Sequence, residues 1–133
     1  MTDQKLWNQL QEYFAGRSDV VAAYLFGSQA EGRTGKLSDV DVAVLLHGID
    51  RKELFAKRLE IGGEIENLLK REDIDVVVLN EAPPLISHRV VKNGKLLFAS
   101  DEKARLAYEV RAVLRYLDWK PFLEKHTKEV LGA

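Results

Sequence analysis

The chain has no cysteine among its 133 residues. That absence removes disulfides, thiolate zinc sites and thiol nucleophiles together. It also lacks a charge surplus, since 20 basic residues face 21 acidic ones for a net charge of −1. No global field pulls such a molecule onto nucleic acid, which argues against a polymerase or a tRNA-modifying enzyme. No apolar run approaches the ~20 residues that span a bilayer, and Met1 to Lys5 lack the pattern of a secretory leader. The expectation is a cytoplasmic protein with no membrane partner. Proline is scarce, at three residues, and no internal repeat or low-complexity linker interrupts the chain. The three histidines, His47, His88 and His126, lie far apart without ligand spacing. What remains is one domain, 46% hydrophobic and 31% charged, long enough for a core but short for separate catalytic and substrate lobes.

The informative stretch is Gly27-Ser28, followed at Asp39-Val40-Asp41 by a pair of acids. An apolar run flanks it on each side. Val20 to Phe26 is β-branched and aromatic and reads as a buried strand, and the run to Leu46 reads as a second strand that begins within the acid pair. Alternation puts Asp39 and Asp41 on one face, with backbones roughly 6–7 Å apart. Two carboxylates so placed are costly without a cation between them, and hard oxygen ligands suit magnesium. Glycine lets backbone approach a ligand, and exposed N–H groups with a hydroxyl suit phosphate oxygens. A phosphate grip beside a metal grip points to nucleotide chemistry.

A third acid, Asp75, stands in the apolar run Ile74 to Leu79. Between the two strands, Arg51 to Lys70 has a helical period, with a stripe of Leu54, Phe55, Arg58, Ile61, Ile65, Leu68 and Leu69. A strand, a crossover helix and a strand form a right-handed parallel unit, which brings both strand starts to one sheet edge. Elsewhere the pattern predicts a helix over 3–15 ending at Gly16, and a short helix opened by Pro83-Pro84 and closed by Asn93-Gly94. An edge strand over 95–99 follows. A further helix is expected with Ser100 as N-cap, running to about Asp118, and a last one starting at Pro121.

Gly27-Ser28, Ala30-Glu31-Gly32 and Ser38-Asp39-Val40-Asp41, with Asp75 on the next strand, resemble the signature of the nucleotidyltransferase superfamily that includes DNA polymerase β. The closest likeness is to the minimal nucleotidyltransferases of prokaryotes. Asp75 to Pro84 and Tyr116-Leu117-Asp118 look like the MntA-like subgroup encoded beside HEPN toxins. The likeness extends from about Val20 to Trp119. It implies an α/β (α+β) fold: a small mixed sheet with flanking helices, a catalytic core over about 1–99 and partner-docking helices over about 100–133.

The resemblance also implies a chemistry. AMP passes from ATP to a tyrosine of a cognate HEPN toxin, with which the chain forms a hetero-oligomer as its antitoxin. Asp39, Asp41 and Asp75 would hold two Mg2+ ions, Asp75 taking the proton of the attacking hydroxyl, while Gly27 and Ser28 hold the phosphates. Two rivals stand beside this reading: an enzyme acting on a small molecule, as aminoglycoside nucleotidyltransferases do, and a silent antitoxin acting by binding alone. The remaining polar residues read as structural. Asp73 is a turn acid, Arg33 and Lys36 belong to a solvated loop, and Arg105, Arg111 and Arg115 to a solvated helix face. Trp7, Tyr108, Tyr116 and Trp119 are assigned to core or interface.

Overall fold

Apolar side chains recur every three to four residues in some segments and crowd together in others, and these two patterns become helices and strands. The computed structural model describes residues 4–27 and 39–130, with side-chain surroundings up to residue 125. Helix α1 (Gln4–Ala15) buries Leu6, Leu10 and Phe14 along one face. Strands β1 (Val20–Phe26) and β2 (Val40–Leu46) form the centre of a four-stranded sheet. Helix α2 (Arg51–Leu69) crosses over to β3 (Ile74–Val78). A 3-10 turn over Leu79–Glu81 leads into α3 (Pro84–Asn93), then β4 (Lys95–Ala99) and the long α4 (Glu102–Val130).

The sheet order is β3-β2-β1-β4. The β1–β2 and β1–β4 pairs are antiparallel, and β2–β3 is parallel, as a helical crossover requires. Helices cover both faces. Leu6, Leu10 and Phe14 of α1 and Leu54, Ile61 and Ile65 of α2 pack on Val20, Val40, Val42, Val44 and Val76. On the opposite face, Val90 of α3 and Tyr108 and Ala112 of α4 meet Val21, Tyr24, Ala43 and Leu45. Each fully buried side chain of this size contributes about 1.5–3 kcal/mol, so the central strands form the rigid part of the molecule.

The β2–β3 register is pinned at both ends. The Val40 N–H donates to the Asp73 carbonyl at 2.9 Å. At the far end, the Asn80 side chain acts as one more ladder rung. Its Oδ1 accepts from the Leu46 N–H and its Nδ2 donates to the Leu46 carbonyl, both at 2.9 Å. A slip of one residue would turn Asp75 to the other face of the sheet, so these bonds also fix the site.

Three local expectations are corrected. The α2 stripe is narrower than its period implies: Leu54, Ile61 and Ile65 are buried, but Phe55 and Leu68 face outward. Ser100 does not cap α4. Its hydroxyl donates to the Val20 carbonyl at 2.7 Å, while Asp101 Oδ1 accepts from the Ala104 N–H at 3.0 Å and takes the cap role. Helix α4 also runs through Pro121 without a break. A proline removes one helical hydrogen bond, and this one lies on an exposed turn where water can serve the freed carbonyl.

Candidate active site

Gly27, Asp41 and Asp75 meet at one edge of the sheet because three strands end or begin there. In the β1–β2 register Phe26 faces Asp41, and in the β2–β3 register Asp41 faces Asp75. Directly paired positions share a face, so Phe26, Asp41 and Asp75 form one cross-strand row. The parallel unit thus delivers the two acids side by side, as the crossover argument predicted. Asp39 stands immediately before β2 and is exposed. It therefore borders the row from the strand entry, outside the regular ladder. Ser28 lies outside the described residues, as do Arg33, Lys36 and Ser38.

Gly27 completes the row for a steric reason. Its φ of 73° lies in the left-handed region, where side chains are strained. A Cβ added there would also run into the Asp41 carboxylate. Position 27 therefore needs glycine twice over, for backbone conformation and for the space beside an acid.

The electrostatics separate this edge from the rest of the surface. The Asp41 carboxyl is held above its ordinary value, by burial first and then by the negative charges of Asp75 and Asp39. Among the described residues, the cation paired with this trio is Arg58 of α2, with Nη2 at 3.9 Å from Asp75 Oδ1. Both partners are about half exposed, at 50% and 55%. Asp73, two residues away, differs sharply. Arg71 Nε donates to its Oδ1 at 2.7 Å, and that guanidinium holds the carboxyl below the usual range. Asp73 is a satisfied turn acid, as expected.

No three His, Cys, Asp or Glu side chains among the described residues are already gathered to hold a metal ion. The donor chemistry nonetheless fits a hard divalent cation. All three donors are carboxylates, two of them occupy adjacent register positions, and the most buried resists ionisation because of its burial and its acidic neighbours. A cation placed there would stabilise the ionised form of Asp41.

The two histidines whose surroundings are described supply no alternative centre, and the side chain of His126 lies outside the described residues. His47 is exposed, and His88 stacks flat on Tyr116 with ring centroids 3.7 Å apart. Tyr108 is buried and donates from its hydroxyl to the Leu79 carbonyl at 3.3 Å. Arg105 is held by Glu102 and Glu109, and Arg115 reaches the Ala82 carbonyl at 3.4 Å. Two features escaped sequence reasoning. Arg58 was grouped with the α2 stripe, although a charged residue at its border is the kind that reaches around a sheet edge. The second is a solvent-facing apolar row on α4 at Leu106, Val110, Val113, Leu114 and Leu117, whose helical spacing was legible but hidden by the buried face of the same helix.

Comparison with known proteins agrees with this geometry. The family model described as polymerase beta, nucleotidyltransferase matches residues 8–103. The protein adenylyltransferase MntA of Shewanella oneidensis is 32% identical over 93 residues, covering 70% of this chain. That match spans 63% of the relative's own length. A chain in a solved toxin–antitoxin structure with AMP-PNP superposes with a TM-score of 0.78 at 24% identity, over 94% of this chain and 98% of that one. A chain in the structure of tri-AMPylated Shewanella oneidensis HEPN toxin with MNT antitoxin gives 0.74 at 22% identity, over 96% and 98%. These likenesses establish the fold. No helix among the described residues is long and apolar enough to cross a membrane.

Proposed function

Because the chain belongs to the polymerase β nucleotidyltransferase family, we propose that it transfers AMP from ATP to a tyrosine hydroxyl of a cognate HEPN-domain toxin, and so acts as that toxin's antitoxin. The observation that carries this reading is the row of Asp41 and Asp75 beside Gly27, an under-neutralised acidic edge at the end of a rigid sheet. The relative named protein adenylyltransferase and the fold likeness to chains of toxin–antitoxin complexes support the choice of acceptor.

Nucleotidyl transfer asks mainly for alignment and charge neutralisation. Asp39, Asp41 and Asp75 would hold two Mg2+ ions, which would supply Lewis acidity to the attacking hydroxyl and positive charge to the departing pyrophosphate. Gly27 leaves room for the Asp41 carboxylate and lets backbone approach the triphosphate, and Ser28 offers its hydroxyl to phosphate oxygens. Asp75, half exposed on an edge strand, accepts the proton of the acceptor hydroxyl. The tyrosine oxygen bonds to the α-phosphorus, the bond to pyrophosphate breaks, and pyrophosphate leaves. Asp41 and Asp75 come from directly paired positions of neighbouring strands, which keeps their spacing fixed.

The acceptor docks on the C-terminal helix α4. The apolar row of α4 faces away from the sheet, and with Val91 of α3 it borders a groove of about 330 Å³. An exposed apolar stripe at helical spacing suits a partner helix. Val110 is 59% exposed and Leu114 55%, so charges there leave the fold intact. A Val110→Asp, Leu114→Asp double variant should keep its melting temperature and lose co-purification with the toxin. Retained binding would remove α4 as the docking site.

The test of activity is incubation of the purified chain with ATP, Mg2+ and the product of the adjacent gene, followed by intact mass of that product. A gain of one or more AMP units supports the reading. A stable, inhibited complex without mass gain would leave a binding-only antitoxin, and neither outcome would turn the search to small-molecule acceptors.

A further inference from the structure

Acids near the mouth of the site fall into two kinds. Asp73 is gripped by Arg71, with a hydrogen bond of 2.7 Å. Asp75, two residues on, has its guanidinium at 3.9 Å, beyond hydrogen-bond length, with both side chains half in solvent. Arg58 comes from the helix on the other face of the sheet, so it reaches Asp75 around the open edge of β3. That carboxylate also adjoins Asp41 and is itself open to an incoming ion. A tight pair would block it, whereas a loose one can be displaced.

We infer that Arg58 is a displaceable counter-ion of Asp75, which competes with the divalent cation for that carboxylate and so ties loading of the site to arrival of the negatively charged triphosphate. The inference rests on the metal-binding reading proposed above. Among the described residues Arg58 meets Asp75 alone, at a loose 3.9 Å, so it neutralises the acids only in part and a cation still binds. It binds more weakly than it would with Arg58 absent, and the triphosphate's added charge shifts the balance toward the metal. Arg58 is a positioning residue in this scheme, since it acts through Asp75.

The test is Mn2+ binding to the full chain, followed by electron paramagnetic resonance of the free ion without nucleotide. Arg58→Gln, in an exposed helical position where glutamine is well tolerated, should bind Mn2+ about two- to fivefold more tightly than wild type, the factor expected for loss of a half-exposed ion pair. Arg58→Lys should return most of the way to wild type. The difference should shrink when a non-hydrolysable ATP analogue is present. A general structural defect would weaken binding, so a gain is specific to competition. Unchanged or weaker Mn2+ binding in Arg58→Gln, with binding still abolished by Asp41→Asn, would overturn the role of Arg58 and leave the metal reading standing. No Mn2+ binding by wild type, with or without the analogue, would overturn the metal reading and this inference with it.

Discussion

Strand β1 has an acidic cluster at each end, and the two clusters are built in opposite ways. At its start, Asp19, Glu60 and Glu64 surround Arg17. The guanidinium meets Asp19 twice, at 2.8 and 3.0 Å, Glu64 at 2.7 Å and Glu60 at 3.1 Å, and Lys57 adds a second cation 3.1 Å from Asp19. Tyr13 joins by donating its hydroxyl to Glu64 at 2.6 Å. Here each acid has a short partner, and the Asp19 carboxyl is held well below the ordinary range, chiefly by its bonds to Arg17. At the other end of β1, the ion pair seen among the described residues is the loose one between Arg58 and Asp75, and the Asp41 carboxyl is pushed up by burial and by the charges of Asp75 and Asp39. The first cluster ties α1, β1 and α2 together. The second stores unbalanced charge where a ligand can reach it. Clustered acid alone is therefore no sign of function; the informative contrast is the looseness of its pairing among the described residues.

The largest effect should come from Asp41→Asn. AMP transfer should fall by about a thousandfold or more, equivalent to about 4 kcal/mol of transition-state stabilisation. The metal-free protein should melt no lower than wild type, because a crowded charge has been removed. Stopped transfer with an intact melting curve checks both halves.

Arg17→Ala should do the reverse. Its side chain is 13% exposed and holds three acids, and its loss should cost about 2–3 kcal/mol in urea unfolding. Transfer per folded molecule should stay at the wild-type level. A fall in transfer beyond the fall in folded fraction would join the two clusters that the structure keeps apart.

The smallest and most diagnostic effect concerns pH. Asp19 ionises more readily folded than unfolded, so its contribution is present above the ordinary carboxylate value and is lost as pH falls through its lowered one. Asp41 ionises less readily folded than unfolded. Its contribution is present below the ordinary value and is lost as pH rises through its raised one. Thermal midpoints from pH 3 to 7, without metal, should show the deficit of Arg17→Ala shrinking below about pH 4. Asp41→Asn should gain on wild type above that pH, by a few degrees at most since the carboxyl is partly solvated. Identical pH dependence in the two variants would erase the contrast.

Much of this was legible in the sequence because the relevant patterns are local. The β-branched runs gave β1, β2 and β3 their places, and the parallel crossover brought Asp75 to the edge that holds Asp39 and Asp41. Gly27 was recognisable by position, although the reason glycine is needed, the carboxylate of Asp41 behind it, depends on the β1–β2 register. What was not legible depends on distance across the fold. Ser100 looked like a cap until its hydroxyl met the Val20 carbonyl, 80 residues away. Nothing local to Asn80 announced that its amide closes on Leu46, 34 residues away. Arg58 looked like part of a helix stripe until β3 proved to be the open edge beside it. Proline at 121 looked like a boundary because its local cost was clear and the exposed turn around it was not.

The most direct measurement is AMP transfer per folded molecule to the co-encoded partner, by intact mass, in Asp41→Asn and Arg17→Ala side by side with wild type. The account predicts no transfer in Asp41→Asn and wild-type transfer in Arg17→Ala. Transfer surviving in Asp41→Asn would contradict the placement of the chemistry at the Asp41–Asp75 edge.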